Sequence, residues 1–133
     1  MKKRIILLLT FCLSFLFVDA KELKSGSLAE KKMYAEKVKT AFRKAWNAYK
    51  DYAWGLDAVN PISKKGHNWY AEPLLMTPVD AYSTMCIMGL EKEKKEAKEL
   101  IFSKLNFDKD LEIQQFEIAI RIMGGLLSSY QLD

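Results

Sequence analysis

The chain has 133 residues, of which 50% are hydrophobic and 29% are charged, with only 6 glycines and 3 prolines. This composition is typical of a globular protein and excludes a disordered or collagen-like chain. One compact domain is the most that this length accommodates. The formal net charge of +4 is small, and no stripe of basic and aromatic residues indicates a nucleic-acid surface.

The first residues have the pattern of a secretory signal peptide. A basic start at residues 2–4 precedes an uncharged run at residues 5–18, which is shorter than the roughly 20 residues that span a bilayer. We predict a signal peptide at residues 1–20 and export to the periplasm or the cell exterior, without a stable membrane span after cleavage. A short basic leader is typical of bacteria, and the lumen of the endoplasmic reticulum is the alternative destination.

Cleavage would change both charge and cysteine content. It removes three positive charges and one negative charge, so +4 becomes +2. Cys12 leaves with the signal peptide, and Cys86 is then the only thiol. An internal disulfide and a cysteine-type metal site are therefore excluded for the mature part.

The first helix is predicted from a capping box. Ser27 and Glu30 have the spacing at which both side chains satisfy amide groups of the first helical turn. Apolar residues then recur every three or four positions to about Trp54. From Gly55 to Met76 no period is sustained, and this length is unusual for a plain loop.

Three more helices are predicted in the rest of the chain. Thr77 and Pro78 are a favourable helix start, and Gly89 is the expected stop. A charged helix follows from Glu91 to Leu105, and a helix from Glu112 to Tyr130 is apolar on most sides, so we expect it to be buried. No strand pattern of useful length is present. The predicted class is all-α, with helices paired as antiparallel hairpins.

One charged pair lies within the apolar fourth helix. Glu117 and Arg121 are the only charged side chains between Ile113 and Leu132, and their spacing of four places them on one helix face. An exposed pair of this kind is an ordinary weak salt bridge. In a buried helix, charges need a polar cleft or exact partners, so we favour a functional, cleft-lining pair. The two glycines that follow, Gly124 and Gly125, indicate close approach of another backbone or a ligand, or tight helix packing.

Other candidates for chemistry are weaker. His67 is the only histidine and is interpreted as a loop residue. Asp108 and Asp110 lack the rest of a calcium-binding loop, so helix capping is the preferred interpretation. Trp69 and Tyr70 are the aromatic pair that we expect to meet a ligand, whereas Trp46 and Tyr49 are at core spacing.

The run from Phe116 to Tyr130 reads F-E-I-A-I-R-I-M-G-G-L-L-S-S-Y. It resembles the F-E-x-T-I-R-x-L-G-G-L-L-S-A-Y signature of glycoside hydrolase family 47, the class I α-1,2-mannosidases. Further segments resemble family blocks in the same order: residues 45–55, 61–64, 79–81, 87–90 and 106–110. The resemblance covers about residues 33 to 132.

The resemblance implies an (α/α) barrel of helical hairpins, a bound calcium ion and hydrolysis of terminal α-1,2-linked mannose with inversion. Mannose-containing oligosaccharides or N-glycans would be the substrates. Glu117 matches the family's general acid, and Arg121 matches a residue that holds the site and the substrate. Burial would favour the protonated form of Glu117, whereas Arg121 would favour the charged form. The sequence does not decide which influence is larger.

Three positions depart from the family pattern. Ser83 replaces an Asp that many relatives have, Ala119 replaces a Thr, and the run Leu56-Asp57-Ala58 replaces a more common His-Asp-Glu. Glu117 and Arg121 are unaffected. The departures indicate a divergent member with altered substrate geometry.

Four helices supply only about two hairpins, so the barrel would be incomplete in this chain. We therefore expect residues 21–133 to be the N-terminal part of the catalytic domain, inactive when isolated, with the catalytic base and the calcium-binding Thr beyond it. No metal ligand is assigned here. One alternative is a small exported binding or structural module in which Glu117 and Arg121 form a buried specificity pair. The other is a relative devoted to glycoprotein quality control.

Overall fold

The computed structural model describes residues 26–133. Residues 33–133 form one compact unit. The predicted signal peptide lies outside the described residues. None of the helices in the described part is both long enough and apolar enough to cross a membrane.

The first helix, α1, comprises Leu28–Ala53 and begins at the predicted capping box. The backbone N–H of Ser27 donates to Glu30 Oε2 at 2.7 Å, and the N–H of Glu30 donates to Ser27 Oγ at 3.2 Å. This reciprocal pair satisfies two amide groups that the first turn leaves free. The predicted helix start is confirmed.

A small β-hairpin follows α1 where a purely irregular connection was predicted. Strands β1 (Ala58–Asn60) and β2 (Lys65–His67) pair antiparallel, with Val59 opposite Gly66. A side chain at Gly66 would lie 2.5 Å from Leu56 Cδ1 and 2.9 Å from the Cα of Ala53. Glycine therefore allows the hairpin to pack directly against the end of α1.

Two helices connected at a glycine come next, α2 (Met76–Met88) and α3 (Glu91–Lys104). Gly89 ends α2 with a φ of 64°, as predicted. The prediction that Thr77 caps α2 is wrong. Its hydroxyl donates to the carbonyl of Asp57 at 2.6 Å, and the helix begins at Met76, two residues before the predicted first residue Pro78.

The chain ends in three continuous helical pieces, which we call the C-terminal helical segment: α4 (Gln115–Glu117), a π-helical stretch π1 (Ile118–Met123) and α5 (Gly124–Leu132). Gly125 lies directly on α2, since a side chain there would approach Val79 Cγ1 to 2.8 Å. The predicted close approach of another backbone is therefore found at Gly125.

Two apolar clusters hold residues 33–133 together. The larger one joins α1, α2 and α3 and contains the stacked rings of Trp46 and Tyr49, which lie 5.3 Å apart. The smaller one joins α2 to π1 through Val79 and Ile122. Trp46 and Tyr49 are core residues, as predicted.

The prediction that the fourth helix is buried is wrong for most of its length. Ile122 is its one buried residue within the described part of the chain. Large apolar side chains, between 51% and 85% exposed, line one side: Phe116, Ile120, Met123, Leu127 and Tyr130. We call these five residues the exposed apolar face. They remain open because α2 covers only the opposite side, around Val79 and Gly125.

Candidate active site

The predicted pair, Glu117 and Arg121, is in direct contact. Arg121 Nε donates to Glu117 Oε2 at 2.6 Å. The side chain of Glu117 is 25% exposed and that of Arg121 is 36% exposed. The pair therefore lies at a surface that solvent and small ligands reach. Arg121 is within π1, and a single π-helical turn inside a helix is often found at functional sites.

A second carboxylate shares the same guanidinium group. Arg121 Nη1 donates to Asp80 Oδ2 at 2.8 Å, and Asp80 belongs to α2. Arg121 thus joins the C-terminal helical segment to α2 and lies between two acidic side chains. In the sequence, Asp80 was marked only by its place in the family block at residues 79–81.

The long connection contributes an aromatic ring to the site. The guanidinium carbon of Arg121 lies 4.7 Å from the centre of the Trp69 ring, which is the geometry of a cation–π contact. Trp69 is itself 41% exposed. The structure therefore places this predicted ligand-binding residue against Arg121. Tyr70 has another position, where its hydroxyl accepts from the N–H of Gln114 at 3.2 Å.

Hydrogen bonds to Glu117, and next to Asp80, raise the pKa of Arg121 above its ordinary value. The guanidinium group is therefore charged at neutral pH. Two of its N–H groups, at Nε and Nη1, donate to carboxylate oxygens, and such hydrogen bonds between charged groups are stronger than those between neutral groups. The site thus combines one fixed positive charge with the two acidic side chains that flank it.

The other sequence candidates lie elsewhere. His67 is on β2, and its Nδ1 is buried without a hydrogen-bond partner. The capping role predicted for Asp108 and Asp110 is wrong, because the next helix begins at Gln115 and has no side-chain cap. The backbone N–H of Asp108 instead donates to the side chain of Asn106 at 2.9 Å.

The described residues do not fit the calcium ion that the family resemblance implies. Among residues 26–133, no three His, Cys, Asp or Glu side chains cluster in a way that would hold a metal ion. The two carboxylates of the site, Glu117 and Asp80, each already accept a hydrogen bond from Arg121. We derive no catalytic step from a metal in this part of the chain.

An open cavity of about 300 Å³ lies on another part of the surface, between α2, α3 and α5. Its lining is mainly apolar, with a polar rim where Asp133 accepts from the hydroxyl of Tyr82 at 2.8 Å and from Lys98. Glu117 and Arg121 do not line it. The cavity and the charged pair are separate features.

The chain is similar to proteins of one known family. Residues 41–133 match the family model of glycosyl hydrolase family 47. Over 92 residues the chain is 45% identical to the human endoplasmic reticulum mannosyl-oligosaccharide 1,2-alpha-mannosidase, covering 69% of this chain and 13% of that protein. A mannosyl-oligosaccharide 1,2-alpha-mannosidase of Arabidopsis thaliana is 44% identical over 102 residues, covering 77% of this chain and 18% of that protein.

A third relative, the pig mannosyl-oligosaccharide 1,2-alpha-mannosidase IA, is 41% identical over 99 residues, or 73% of this chain and 15% of that protein. The chain thus spans between 13% and 18% of the length of these three curated relatives. The matched residues include the whole of the site formed by Trp69, Asp80, Glu117 and Arg121. On the extent of the family match, this chain belongs to glycosyl hydrolase family 47.

Proposed function

We propose that this chain forms part of a glycosidase that hydrolyses terminal α-1,2-linked mannose from mannosyl-oligosaccharides with inversion. Glu117 is the general acid and Arg121 holds that acid and the substrate. The observation that carries the proposal is the contact of 2.6 Å between Arg121 Nε and Glu117 Oε2 at a partly exposed surface, in a chain of this family. The relatives' names give the linkage and the sugar.

The geometry supports a role in proton delivery. Arg121 binds one oxygen of Glu117, Oε2, and we expect the second oxygen, Oε1, to face the glycosidic oxygen. From there the carboxyl group gives its proton to the departing oxygen, directly or through a water molecule. The stacked Trp69 ring and Asp80 limit the positions that Arg121 adopts, which keeps Glu117 in one orientation.

An inverting glycosidase needs a second carboxyl group about 6.5 to 9.5 Å from the first, with room for the attacking water between them. Asp80 does not take that role in our proposal, because it binds the same guanidinium group as Glu117. We expect the catalytic base outside the described residues. The calcium ion also stays a prediction, with its ligands expected outside residues 26–133.

The partial exposure of the pair favours catalysis over the alternative of a buried specificity pair. A specificity pair would be closed to solvent, whereas the Arg121 side chain is 36% exposed. We further propose that the protein is exported through its leader and acts on mannose-containing oligosaccharides or N-glycans. Periplasm, cell exterior and endoplasmic reticulum lumen are the candidate destinations, and the human relative carries the last in its name.

The test is Glu117→Gln in the protein as the cell produces it. Glutamine keeps the shape and accepts the hydrogen bond from Arg121, but it has no acidic proton to donate. We expect kcat to fall by about 10²- to 10⁴-fold while the substrate still binds. Mannosides with an activated leaving group should lose less, because their departure needs less protonation.

Glu112→Gln is the matched control, since Glu112 is exposed and precedes the C-terminal helical segment. It should leave both kcat and melting temperature unchanged. If Glu117→Gln lowers the melting temperature but leaves kcat close to that of the wild type, Glu117 is a structural partner of Arg121 and the proposal is wrong.

A further inference from the structure

Asp57 is the one polar or charged residue that is completely buried in the described part of the chain. It lies between α1 and β1. Its side chain accepts three backbone hydrogen bonds from the connection that leads into α2. The N–H of Trp69 binds Oδ2 at 3.0 Å, and those of Leu74 and Met76 bind Oδ1 at 2.6 and 3.3 Å. A buried carboxylate needs partners of this kind to offset the loss of water.

The backbone of Asp57 adds further bonds to the same segment. Its carbonyl accepts from the N–H of Thr77 at 3.0 Å and from the Thr77 hydroxyl at 2.6 Å. Its N–H donates to the side chain of Asn68 at 3.3 Å. Asp57 therefore binds both ends of the stretch from Asn68 to Thr77.

A strained residue at the start of α2 depends on this arrangement. Leu75 has a φ of 55°, in the left-handed region that a branched side chain rarely adopts. The N–H groups on either side of it, those of Leu74 and Met76, share Asp57 Oδ1. Such strain persists only where surrounding contacts require it, and the buried Leu75 side chain and Asp57 supply them.

The same network reaches the charged pair. The residue that Asp57 holds at the near end of the stretch is Trp69, whose ring stacks on the Arg121 guanidinium group. We propose that Asp57 is a positioning residue for the site: it fixes the backbone of Trp69, and the Trp69 ring fixes Arg121 beside Glu117. The expected effect on catalysis rests on the proposed function. The placement of the Trp69 ring does not, because it can be measured whether or not the protein is active.

The experiment combines kinetics with ¹⁹F NMR of the whole protein labelled with 5-fluorotryptophan, in which Trp69→Phe assigns the Trp69 resonance. Asp57→Asn preserves size but replaces one acceptor oxygen with an amide donor, which cannot bind a backbone N–H. We expect the Trp69 resonance to move towards its position in Arg121→Gln. We also expect kcat/KM to fall by about 10- to 100-fold, as for a displaced catalytic group.

Asp51→Asn is the control, because it removes the same charge from an exposed position near the end of α1. It should change neither the resonance nor the kinetics. A folded Asp57→Asn protein whose Trp69 resonance stays at the wild-type position overturns the proposal. If the resonance moves but the wild-type protein has no mannosidase activity, the positioning of Trp69 stands and the proposed function fails.

A second measurement needs no variant and applies even if Asp57→Asn does not fold. In the wild-type protein, the amide protons of Trp69 and Leu74 should exchange slowly with solvent, because both are bound by a carboxylate that is closed to water. Exchange of these two protons at the rate of an unstructured peptide would show that Asp57 does not hold the connection, and the proposal would be wrong.

Discussion

Arg121 has three partners at once, and each uses a different property of its guanidinium group. Nε binds Glu117, Nη1 binds Asp80, and the flat face of the group lies over Trp69. Only a planar, delocalised cation with separate donors makes all three contacts. A lysine has one compact charge, so it would bind one carboxylate and lose the stacking and the second ion pair.

Arg121→Lys is therefore expected to impair the site although it keeps the charge. The loss of one hydrogen bond between charged groups costs about 1.5 to 3 kcal/mol, or about 10- to 150-fold in kcat/KM. Because Arg121 is 36% exposed, we expect a value near the lower end, about 10-fold. Steady-state kinetics of the whole protein measure this.

Arg43→Lys is the comparison for this variant. Arg43 Nε binds Glu93 at 3.2 Å on a surface distant in sequence from the site, with 46% of the side chain exposed. This exchange should leave kcat/KM unchanged. Equal kinetics for the wild type and Arg121→Lys would mean that the second hydrogen bond and the stacking of Arg121 are unimportant for catalysis.

The sequence predicts the centre of the site better than its surroundings. The spacing of Glu117 and Arg121 already places them on one helix face, and they are found in contact. Asp80, on α2, and Trp69, in the connection without a period, reach the pair through the tertiary fold, which local pattern does not reveal. In the sequence, Asp57 stood out only because it is the one residue that the run Leu56-Asp57-Ala58 shares with the family's His-Asp-Glu. Its burial could not be predicted, because it depends on backbone groups that are distant in sequence.

Among the helices and strands, the sequence predicts the features that depend on neighbouring residues. The Ser27 capping box and the Gly89 stop depend on neighbouring residues, and both are found. The hairpin was missed because strands of three residues are too short to show alternation, and its packing is evident only from the space around Gly66. The π-helical turn has no sequence signature of its own.

The two consecutive glycines of α5 provide a matched test of helix packing. Gly125→Ala places a methyl group 2.8 Å from Val79 Cγ1 and 3.3 Å from the Val79 carbonyl oxygen, so α5 or α2 must shift. We expect the free energy of unfolding to fall by about 1 to 3 kcal/mol, as in other overpacked cores. Denaturant unfolding of the whole protein measures the change.

Gly124→Ala is the partner experiment, because a methyl group there meets only the carbonyl oxygen of Ala119 at an ordinary 3.5 Å. Alanine favours a helix more than glycine does, so this variant should be as stable as the wild type or more stable by up to about 1 kcal/mol. Equal destabilisation by the two substitutions would contradict the close contact between α5 and α2.

At the level of the whole molecule, the main feature is an apolar surface that residues 26–133 do not cover. The five residues of the exposed apolar face recur at intervals of three and four along the C-terminal helical segment, which is the pattern of a helix packed on both sides. The sequence predicted this apolarity correctly and its burial wrongly, because burial depends on partners that are not present among the described residues.

An exposed apolar surface of this size favours association in water. We therefore expect residues 21–133, produced alone, to self-associate at micromolar concentration, as measured by sedimentation velocity. Met123→Glu combined with Leu127→Lys places an oppositely charged pair in the middle of the face at helical spacing, without changing net charge. This double variant should sediment as a monomer.

The control substitutes two other exposed apolar residues in the same way, Ile62→Glu and Ile87→Lys, which are 96% and 77% exposed and lie outside the face. It should associate as the unsubstituted protein does. If both double variants associate equally, the exposed apolar face is not the contact surface. A monomeric, cooperatively melting unsubstituted protein would go further, because it would favour a self-sufficient small module over part of a helical barrel.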